Sequence, residues 1–567
     1  MPGKARMAST VTVGELVAVF LEQCGVRTAF GVISIHNMPI LDAFGNRERT
    51  RFVPARSEPG AVNMADAYAR VTGGLGVAVT STGTAAGNAC GAMIEALTAG
   101  TPLLHLTGQI ETDYLDRDLA YIHEAPAQLA MLKAVSKAAY RVWSPQTALA
   151  TLREAVRTAL TAPAGPVSVE IPIDIQQARI PLPEDLSPVP VAAAVPEAAA
   201  LDALAERLST ARRPLLWLGG GARDAGPAVE KLVALGFGVV TSVQGRGVLP
   251  EDHPMNLGAY NLHAPVEAFY GTCDAMLVVG SRLRSNETLT YQLKLPRPLY
   301  RVDADPRAEN RCYESHLFVH GDARLVLEGL AARLAGRIRI DARFAGDLAA
   351  ARSAAEQFVR QGLGSYARLV DELQRVAGRD FLWVRDVTVS NSTWGNRMLK
   401  IFGPRDGVHA LGGGIGQGLQ MGIGAAVAEQ ATGRGRKTFV LVGDGGFQVN
   451  SGELAAAVQE QADLVLVVMN DRGYGVIRNI QDAQYGGRRR YVDLVTPDFG
   501  ALARAVGAAH RRVARIDDIG SALDAAAAAR GPAIVEIDMQ AIGPFARAFA
   551  GPPVKAAAGA TTPASVA

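Results

Sequence analysis

Two polar segments, each of which follows an apolar run, carry the residue types with the clearest chemistry. The segment GDGG at residues 443–446 comes directly after the apolar residues 438–442, and the segment NDRG at residues 470–473 follows the next apolar run, at 464–469. Such runs predict neighbouring strands of a parallel sheet, and the ligands of these sheets bind beyond the carboxyl ends of the strands. We therefore expect the two segments to meet in one binding site.

The side chains and backbone groups of these segments suit a divalent cation and a phosphate group. Asp444 offers the hard oxygen ligand that Mg²⁺ prefers, and the Asp471 carboxylate and the Gly473 carbonyl would complete the protein ligands. Gly443 and Gly445 allow the backbone to come close to phosphate, and a helix predicted to start near residue 451 adds a favourable dipole. A tight turn without a ligand would explain the first segment, but it would not explain the second.

Together the two segments resemble the cofactor motif of thiamine-diphosphate enzymes, and most of the chain is similar to the acetolactate synthase, pyruvate decarboxylase and benzaldehyde lyase group. The resemblance implies thiamine diphosphate and Mg²⁺ as cofactors. In that group, two asparagines usually stand where this chain has Asn470 and Asp471, and the second asparagine is usually the metal ligand. The resemblance therefore assigns the ligand role to Asp471, with Asn470 as the other candidate.

Glu58 lies in a segment, at residues 53–70, that is similar to the glutamate region of the same group. There the glutamate hydrogen-bonds the pyrimidine ring of the cofactor and promotes loss of the thiazolium proton, so the resemblance gives Glu58 this catalytic role. Chemistry supports the assignment, since a very weak carbon acid needs a base that is shielded from water. The alternative is an acidic residue that only favours the start of a helix.

The glycine-rich residues 410–418 resemble the family segment that lies under the cofactor. Ile415 matches the bulky apolar residue that forces the cofactor into its bent conformation, and the Gly413 carbonyl would hold the amino group of the pyrimidine. The glycines do not follow the GxGxxG pattern of dinucleotide-binding folds. The full set of residues expected to contact the cofactor is Gly83, Asn88, Ser390, Asn391, Ser392, Gly413, Gly414, Ile415, Gly443, Asp444, Gly445, Gly446, Tyr474, Gly475 and Val476.

Three polar residues are candidates for chemistry on the substrate. His36 matches the position of an active-site histidine in benzaldehyde lyase and related carboligases, and His123 stands where acetolactate synthases carry glutamine. A histidine can move protons at neutral pH, although a surface position or a hydrogen-bonded core position would also explain each of them. Gln109 is the third catalytic candidate.

The spacing of apolar runs and helical patterns predicts three α/β units, each with a doubly wound parallel sheet. We expect a pyrimidine-binding domain at residues 1–180, a central domain at 195–335, a diphosphate-binding domain at 366–550 and a disordered tail at 551–567. A Pro- and Ala-rich linker covers residues 181–200, and a helical connection covers 336–363. No internal repeat is evident in the sequence. Residues 541–552, which include Phe545 and Phe549, are a hypothetical lid over the site.

Composition and charge exclude several classes of function. The net charge of +2 gives no reason to expect nucleic acid or an anionic membrane as a partner, and no apolar run is long enough to cross a bilayer. The four cysteines are far apart and show no metal-binding spacing. Because the start of the sequence has no signal-peptide pattern, we expect a soluble cytoplasmic protein.

The resemblance predicts that the chain forms or cleaves a C–C bond next to a carbonyl. The expected substrate is a 2-oxo acid, which is decarboxylated, ligated to give an acyloin or acetolactate, or both. A lyase or hydrolase that cleaves a 2-hydroxy ketone (acyloin) or a 1,2-diketone is the first alternative. A 2-oxo acid oxidase with FAD is the second, but residues 219–221 and 302–305 do not establish a flavin site, so we favour a structural central domain.

In this family the cofactor lies between subunits, which implies at least a homodimer and favours a homotetramer. A binding or regulatory protein that keeps the fold without catalysis is a further class of function. The presence of both Glu58 and Asp444 argues against it.

Overall fold

The expected alternation of strands and helices is present in a computed structural model of the chain, which describes residues 9–551. Residues 1–8 and most of the predicted tail, 552–567, lie outside the described residues. Three parallel sheets form the cores of three domains, and a short antiparallel pair of strands joins the two ends of the first domain. Among the described residues, no helix has both the length and the apolar character that a membrane-spanning helix needs.

The first domain has a parallel sheet with helices on both faces. Its strands are β1 (Thr10–Thr12), β2 (Thr28–Gly31), β3 (Arg51–Pro54), β4 (Gly76–Thr80), β5 (Leu103–Gln109), β6 (Ala138–Arg141), β7 (Pro166–Pro172) and β8 (Arg179–Pro181). Its helices are α1 (Val13–Gln23), α2 (Met38–Arg47), α3 (Glu58–Thr72), α4 (Thr84–Ala99), α5 (Gln128–Val135), α6 (Ala148–Leu160) and α7 (Ile173–Gln177). The sheet order is β3-β2-β4-β5-β7-β6, while β1 pairs with β8. Strands β4, β5 and β7 are buried along their whole length, because helices cover both faces of the sheet.

The central domain is a smaller parallel sheet. Its strands are β9 (Pro214–Leu218), β10 (Gly238–Thr241), β11 (Ala275–Val279), β12 (Leu299–Asp303) and β13 (Leu317–His320), in the order β10-β9-β11-β12-β13. Its helices are α8 (Ala198–Ser209), α9 (Gly226–Ala234), α10 (Ala264–Tyr270) and α11 (Ala323–Leu334). The long helix α12 (Phe344–Leu363) provides the predicted helical connection to the third domain.

The third domain has another six-stranded parallel sheet. Its strands are β14 (Phe381–Arg385), β15 (Gly407–His409), β16 (Lys437–Gly443), β17 (Leu464–Asn470), β18 (Ala509–Val513) and β19 (Ala533–Asp538), in the order β15-β14-β16-β17-β19-β18. Its helices are α13 (Ala367–Ala377), α14 (Gly418–Thr432), α15 (Asp444–Val449), α16 (Glu453–Gln459), α17 (Gly475–Gln484), α18 (Phe499–Val506), α19 (Ile519–Ala528) and α20 (Met539–Ile542).

The first and third domains share one topology, which the sequence pattern did not reveal. If β2 is matched with β14, and the strands that follow are matched in chain order, the two six-stranded sheets have identical strand orders. In this match β3 corresponds to β15, β4 to β16 and β5 to β17. A fold can repeat in this way without a visible sequence repeat because packing constrains the apolar pattern of strands more than their identity.

Helices α3 and α14 pack directly against each other and join these two domains. Helix α14 is buried from Gly418 to Glu429, so it lacks the polar face of a surface helix. The two backbones approach closely, since a Cβ added at Gly424 would lie 2.1 Å from the Met64 carbonyl oxygen. Asn63 also donates a hydrogen bond to Gln420 across this contact, at 2.6 Å. The contact sets the relative position of the two candidate cofactor-binding domains.

The GDGG segment itself begins a short helix that comes before the predicted one. Helix α15 begins at Asp444 itself, directly after β16, and α16 follows at Glu453. The helix predicted to start near Ser451 is therefore present as α16, within two residues of the expected start. Helix α15 was not predicted, because glycines have low helix propensity. The domain boundaries at 1–180, 195–335 and 366–550 stay predictions.

Candidate active site

Asp444 and Asp471 lie together at the carboxyl ends of the adjacent strands β16 and β17. Burial, and then the neighbouring Asp471, raise the pKa of Asp444 to about 7. Burial also raises the pKa of Asp471, an effect that Arg478, at 3.6 Å, opposes. The Asp444 carboxylate accepts a hydrogen bond from the Gly473 amide at 3.0 Å. Two buried carboxylates that interact in this way are stabilised by a cation between them.

The asparagine before Asp471 is engaged elsewhere. The Asn470 side chain donates to Glu536 at 2.8 Å, and its oxygen accepts from the Arg472 amide at 3.3 Å. The geometry therefore favours Asp471 over Asn470 as a metal ligand. Within residues 9–551, no group of three or more His, Cys, Asp or Glu side chains is arranged to hold a metal ion. Two carboxylates and a carbonyl leave the other positions of an octahedron to oxygens from outside the protein, which fits Mg²⁺ bound together with a diphosphate.

The predicted diphosphate contacts fall into two groups. The Ser390 hydroxyl and the Asn391 side-chain oxygen are buried and have no hydrogen-bond partner among the described residues. Such groups need a ligand or water to satisfy them. Ser392, by contrast, lines a separate cavity of about 510 Å³ that also includes Arg397 and Phe549. We therefore expect Ser390 and Asn391, rather than Ser392, to contact a ligand.

The glycine-rich loop after β15 holds Ile415 in an exposed position. Gly413 and Gly416 have φ angles of +86° and +85°, which other residues rarely adopt. The Ile415 side chain is 40% exposed despite its apolar character, and Gly414 lies beside Gln417. An exposed apolar side chain on a constrained loop is suited to contact a ligand.

Asp386, at the end of β14, is a functional candidate that sequence reasoning missed. It is fully buried, and its carboxylate accepts hydrogen bonds from the amides of Val387 (2.7 Å) and Gly416 (3.0 Å). Burial raises the pKa of Asp386 to about 6, although these amides oppose the rise. A Cβ at Gly446 would lie 2.7 Å from its carboxylate, so Asp386 joins the loop of Ile415 to helix α15. Its signal was an acidic residue one position beyond the apolar run 381–384, just as Asp444 stands one position beyond the run 438–442.

Tyr474, Gly475 and Val476 complete the predicted contacts in the third domain. Helix α17 begins at Gly475, and the Tyr474 ring packs against Gly445, where a Cβ would lie 2.9 Å from it. A Cβ at Gly475 would lie 2.2 Å from the Asp471 carboxylate. The structure thus brings this segment next to both carboxylate-bearing segments.

Glu58 is the first residue of α3 and is half-buried. Its carboxylate accepts a hydrogen bond from the Asn88 side chain at 3.1 Å, so the structure brings these two predicted residues together. Ser57 caps the helix, since its hydroxyl accepts from the Gly60 amide at 3.1 Å. The helix start therefore fixes the position of Glu58 at the carboxyl end of β3.

The two candidate histidines lie side by side, with their ring centroids 5.2 Å apart. Burial and the nearby His123 lower the pKa of His36, and Glu111 opposes this. His123 itself is exposed and has a φ of +71°. Gly83 lies directly beside it, because a Cβ there would be 2.2 Å from the His123 carbonyl.

The side-chain oxygen of Gln109, the third candidate, is engaged in hydrogen bonds. Its side-chain oxygen accepts from the Thr82 hydroxyl and from the Ile110 amide, both at 2.8 Å. Gln109 is also only 1% exposed. These contacts favour a role in the shape of the site, and a catalytic role for Gln109 stays a prediction.

The hypothetical lid, residues 541–552, packs against the body of the protein as far as Gly551. The Phe545 ring contacts Tyr366, with centroids 4.7 Å apart, and the Phe549 carbonyl accepts from Asn479 at 3.1 Å. Pro552 lies outside the described residues. Helix α17, which carries Asn479, thus connects this segment to the site.

A cavity of about 360 Å³ lies where the central and first domains meet. Gly220, Gly221 and Asp303 line it together with several arginines, which include Arg70 and Arg223. Five acidic residues, Asp303 among them, line the same cavity, so its lining carries both signs of charge. No contact among the described residues identifies a flavin or another ligand there.

Models of three thiamine pyrophosphate (thiamine diphosphate) enzyme domains match the chain in order. The N-terminal TPP binding domain matches residues 11–131, the central domain residues 201–330 and the C-terminal TPP binding domain residues 388–537.

Curated relatives match over nearly the whole chain. A probable 2-ketoarginine decarboxylase of Pseudomonas aeruginosa is 33% identical, over 93% of this chain and 94% of its own. A probable acetolactate synthase large subunit of Methanocaldococcus jannaschii is 26% identical, over 92% and 91%. An acetolactate synthase of Mycobacterium bovis is 27% identical, over 90% and 85%. With its three matched domains and these relatives, the chain belongs to the thiamine-diphosphate-dependent enzyme family.

Proposed function

We propose that this chain catalyses the decarboxylation of a 2-oxo acid, alone or followed by ligation to a second carbonyl compound. The buried pair Asp444 and Asp471 carries the proposal, because it fits Mg²⁺ and a diphosphate at the strand ends of a matched cofactor domain. When bound, thiamine diphosphate supplies a nucleophilic carbon for the substrate carbonyl and accepts the electrons that remain when carbon dioxide leaves.

The protein residues have separate tasks in this proposal. Asp444, Asp471 and the Gly473 carbonyl hold the cation. Glu58 holds a proton next to the pyrimidine, and Asn88 orients its carboxylate. Ile415 supports the cofactor from below.

The histidine pair would handle protons on the substrate. Burial lowers the pKa of His36, so this ring is neutral near pH 7 and its nitrogens can both accept and donate hydrogen bonds.

We further propose that two copies of the chain, or four, form the active enzyme.

A substrate with a cationic end is a second candidate, which Glu111 favours. One oxygen of the Glu111 carboxylate is buried and has no hydrogen-bond partner among the described residues. The charge of Glu111 also raises the pKa of His36. Next to it, the rings of Tyr114 and Tyr121 stack with centroids 4.7 Å apart, and the interaction with Glu111 raises the pKa of the Tyr121 phenol. Carboxylates and aromatic faces are preferred partners of a guanidinium group. The similarity to a probable 2-ketoarginine decarboxylase supports the same substrate class.

The test is a comparison of pyruvate and 2-ketoarginine with the purified protein, Mg²⁺ and thiamine diphosphate. Carbon dioxide, aldehydes, acetoin and acetolactate are measured together. Acetolactate from pyruvate would identify a synthase, whereas faster turnover of 2-ketoarginine would support the cationic substrate. In that case Glu111→Gln should lower kcat/KM for 2-ketoarginine by about tenfold, the effect of one lost charged hydrogen bond. A protein that releases carbon dioxide from neither acid but cleaves an acyloin or a diketone would contradict the proposal.

A further inference from the structure

A buried glutamate of the third domain lies under the start of α3 in the first domain. Glu453 is 1% exposed, and its carboxylate accepts from the Arg56 amide, at 3.1 Å to each oxygen, and from the Ser57 hydroxyl at 2.9 Å. A Cβ at Gly60 would lie 2.0 Å from this carboxylate, so the close contact requires glycine. Burial raises the pKa of Glu453, which these hydrogen bonds oppose. The segment that Glu453 holds leads directly to Glu58.

A buried glutamate of the first domain makes the corresponding contact with the third. Glu95 of α4 is also 1% exposed, and its carboxylate accepts from the amides of Leu411 (2.7 Å) and Gly412 (2.5 Å). Arg70 donates to the same carboxylate at 3.0 Å, which balances its charge. The segment that Glu95 holds leads directly to Ile415.

The two contacts are equivalent under the repeated topology. The held segments follow β3 and β15, which occupy matching positions in the two sheets. The glutamates lie in the helical regions that follow the matching strands β4 and β16. The third domain therefore holds the segment that follows β3 of the first domain, and the first domain holds the segment that follows β15 of the third.

From this arrangement we infer that Glu453 and Glu95 are reciprocal positioning residues for the two cofactor-facing segments. Glu453 positions Glu58, and Glu95 positions Ile415. The inference rests on the roles proposed above for Glu58 and Ile415. A glutamate carboxylate suits this task because its two oxygens accept several hydrogen bonds at once, and hydrogen bonds to charged groups are the stronger ones.

The domain contact itself does not depend on the two glutamates. The close packing of α3 on α14, with the bond from Asn63 to Gln420, joins the domains independently. Loss of either glutamate should thus loosen one segment and leave the domains together. A role in general stability alone would loosen both segments equally.

The experiment is amide hydrogen exchange of the cofactor-free protein, followed by mass spectrometry, for Glu453→Gln and Glu95→Gln. In each variant an NH2 group replaces one carboxylate oxygen, which removes one hydrogen-bond acceptor and the negative charge. Glu453→Gln should speed exchange of residues 56–60 by about tenfold and leave 411–416 unchanged, as expected when one charged hydrogen bond is lost. Glu95→Gln should give the opposite pattern. Glu328→Gln, an exposed change on α11, is the matched control.

A second measurement links Glu453 to the cofactor. Exchange of the reactive C2 proton of added thiamine diphosphate, followed by NMR, should slow in Glu453→Gln relative to the wild type. If the wild-type protein does not accelerate this exchange, the proposed function fails, while the amide exchange still decides the positioning role. Unchanged exchange in both segments, or equal increases in both, would overturn the inference. If a Gln variant does not fold, the shorter Asp variant replaces it, with the same expected pattern.

Discussion

At the scale of single residues, the site depends on a few carboxylates whose environments differ. Asp444 and Asp471 are buried together, Asp386 is buried against backbone amides, and Glu58 bonds a single amide side chain. Opposing environments of this kind are how a protein assigns different tasks to chemically identical groups.

The choice between Asp471 and Asn470 as metal ligand can be tested directly. Asp471→Ala should lower Mg²⁺ affinity, measured by calorimetry with thiamine diphosphate present, by about tenfold or more, because a charged oxygen ligand is lost. Asn470→Ala should leave Mg²⁺ affinity unchanged, since the Asn470 side chain bonds Glu536. The reverse pattern would show that Asn470 is the ligand.

The pH dependence of catalysis should report on His36. Burial and His123 lower the pKa of His36 from its ordinary value, so a rate that needs the neutral ring should persist to more acidic pH than an ordinary histidine allows. Because the charge of Glu111 raises this pKa, Glu111→Gln should move the acidic limb of kcat/KM to still lower pH. A limb that moves to higher pH, or one that survives in His36→Asn, would exclude His36 as its origin.

At the scale of elements, strands that are buried on both faces were predicted well, and glycine-rich segments were not. The continuous apolar runs at 438–442 and 464–469 identified β16 and β17 to within one residue at each end, because parallel strands covered on both faces are apolar throughout. Helix α15 was not predicted, because the glycines of GDGG have low helix propensity. Asp386 escaped because, apart from the adjacent Val387 amide, its partners lie about 30 positions further along the chain, around Gly416, and only the fold brings them together.

The loop that carries Ile415 offers a test at this scale. Gly416→Ala forces a φ of +85° on alanine and places its Cβ 2.6 Å from Val449, so the loop must shift. Such strain, about 1–3 kcal/mol, should weaken thiamine diphosphate binding by about tenfold or more in a fluorescence titration.

Gly433→Ala is the control, because Gly433 has a φ of +68° at the end of α14 but open space around it. Equal loss of affinity in both variants would mean that the loop has no special role.

At the scale of the whole molecule, two domains of the same topology face each other across α3 and α14. Several apolar side chains near the first-domain site are exposed, among them Ile33, Ile35 and Ile122. Exposed apolar groups of this kind are typical of surfaces that a partner covers. They support the proposal that at least two chains assemble around the cofactor, which sequence patterns alone could suggest only by resemblance.

The most direct test of the account is carbon dioxide release from 2-oxo acids by the wild type and by Glu58→Gln, after removal of bound cofactor. The wild type should release carbon dioxide only when both Mg²⁺ and thiamine diphosphate are restored. Glu58→Gln should bind the cofactor normally and lose about 10² to 10⁴ of kcat, the usual contribution of a positioned acid–base group. Wild-type release without thiamine diphosphate, or full activity in Glu58→Gln, would contradict the account.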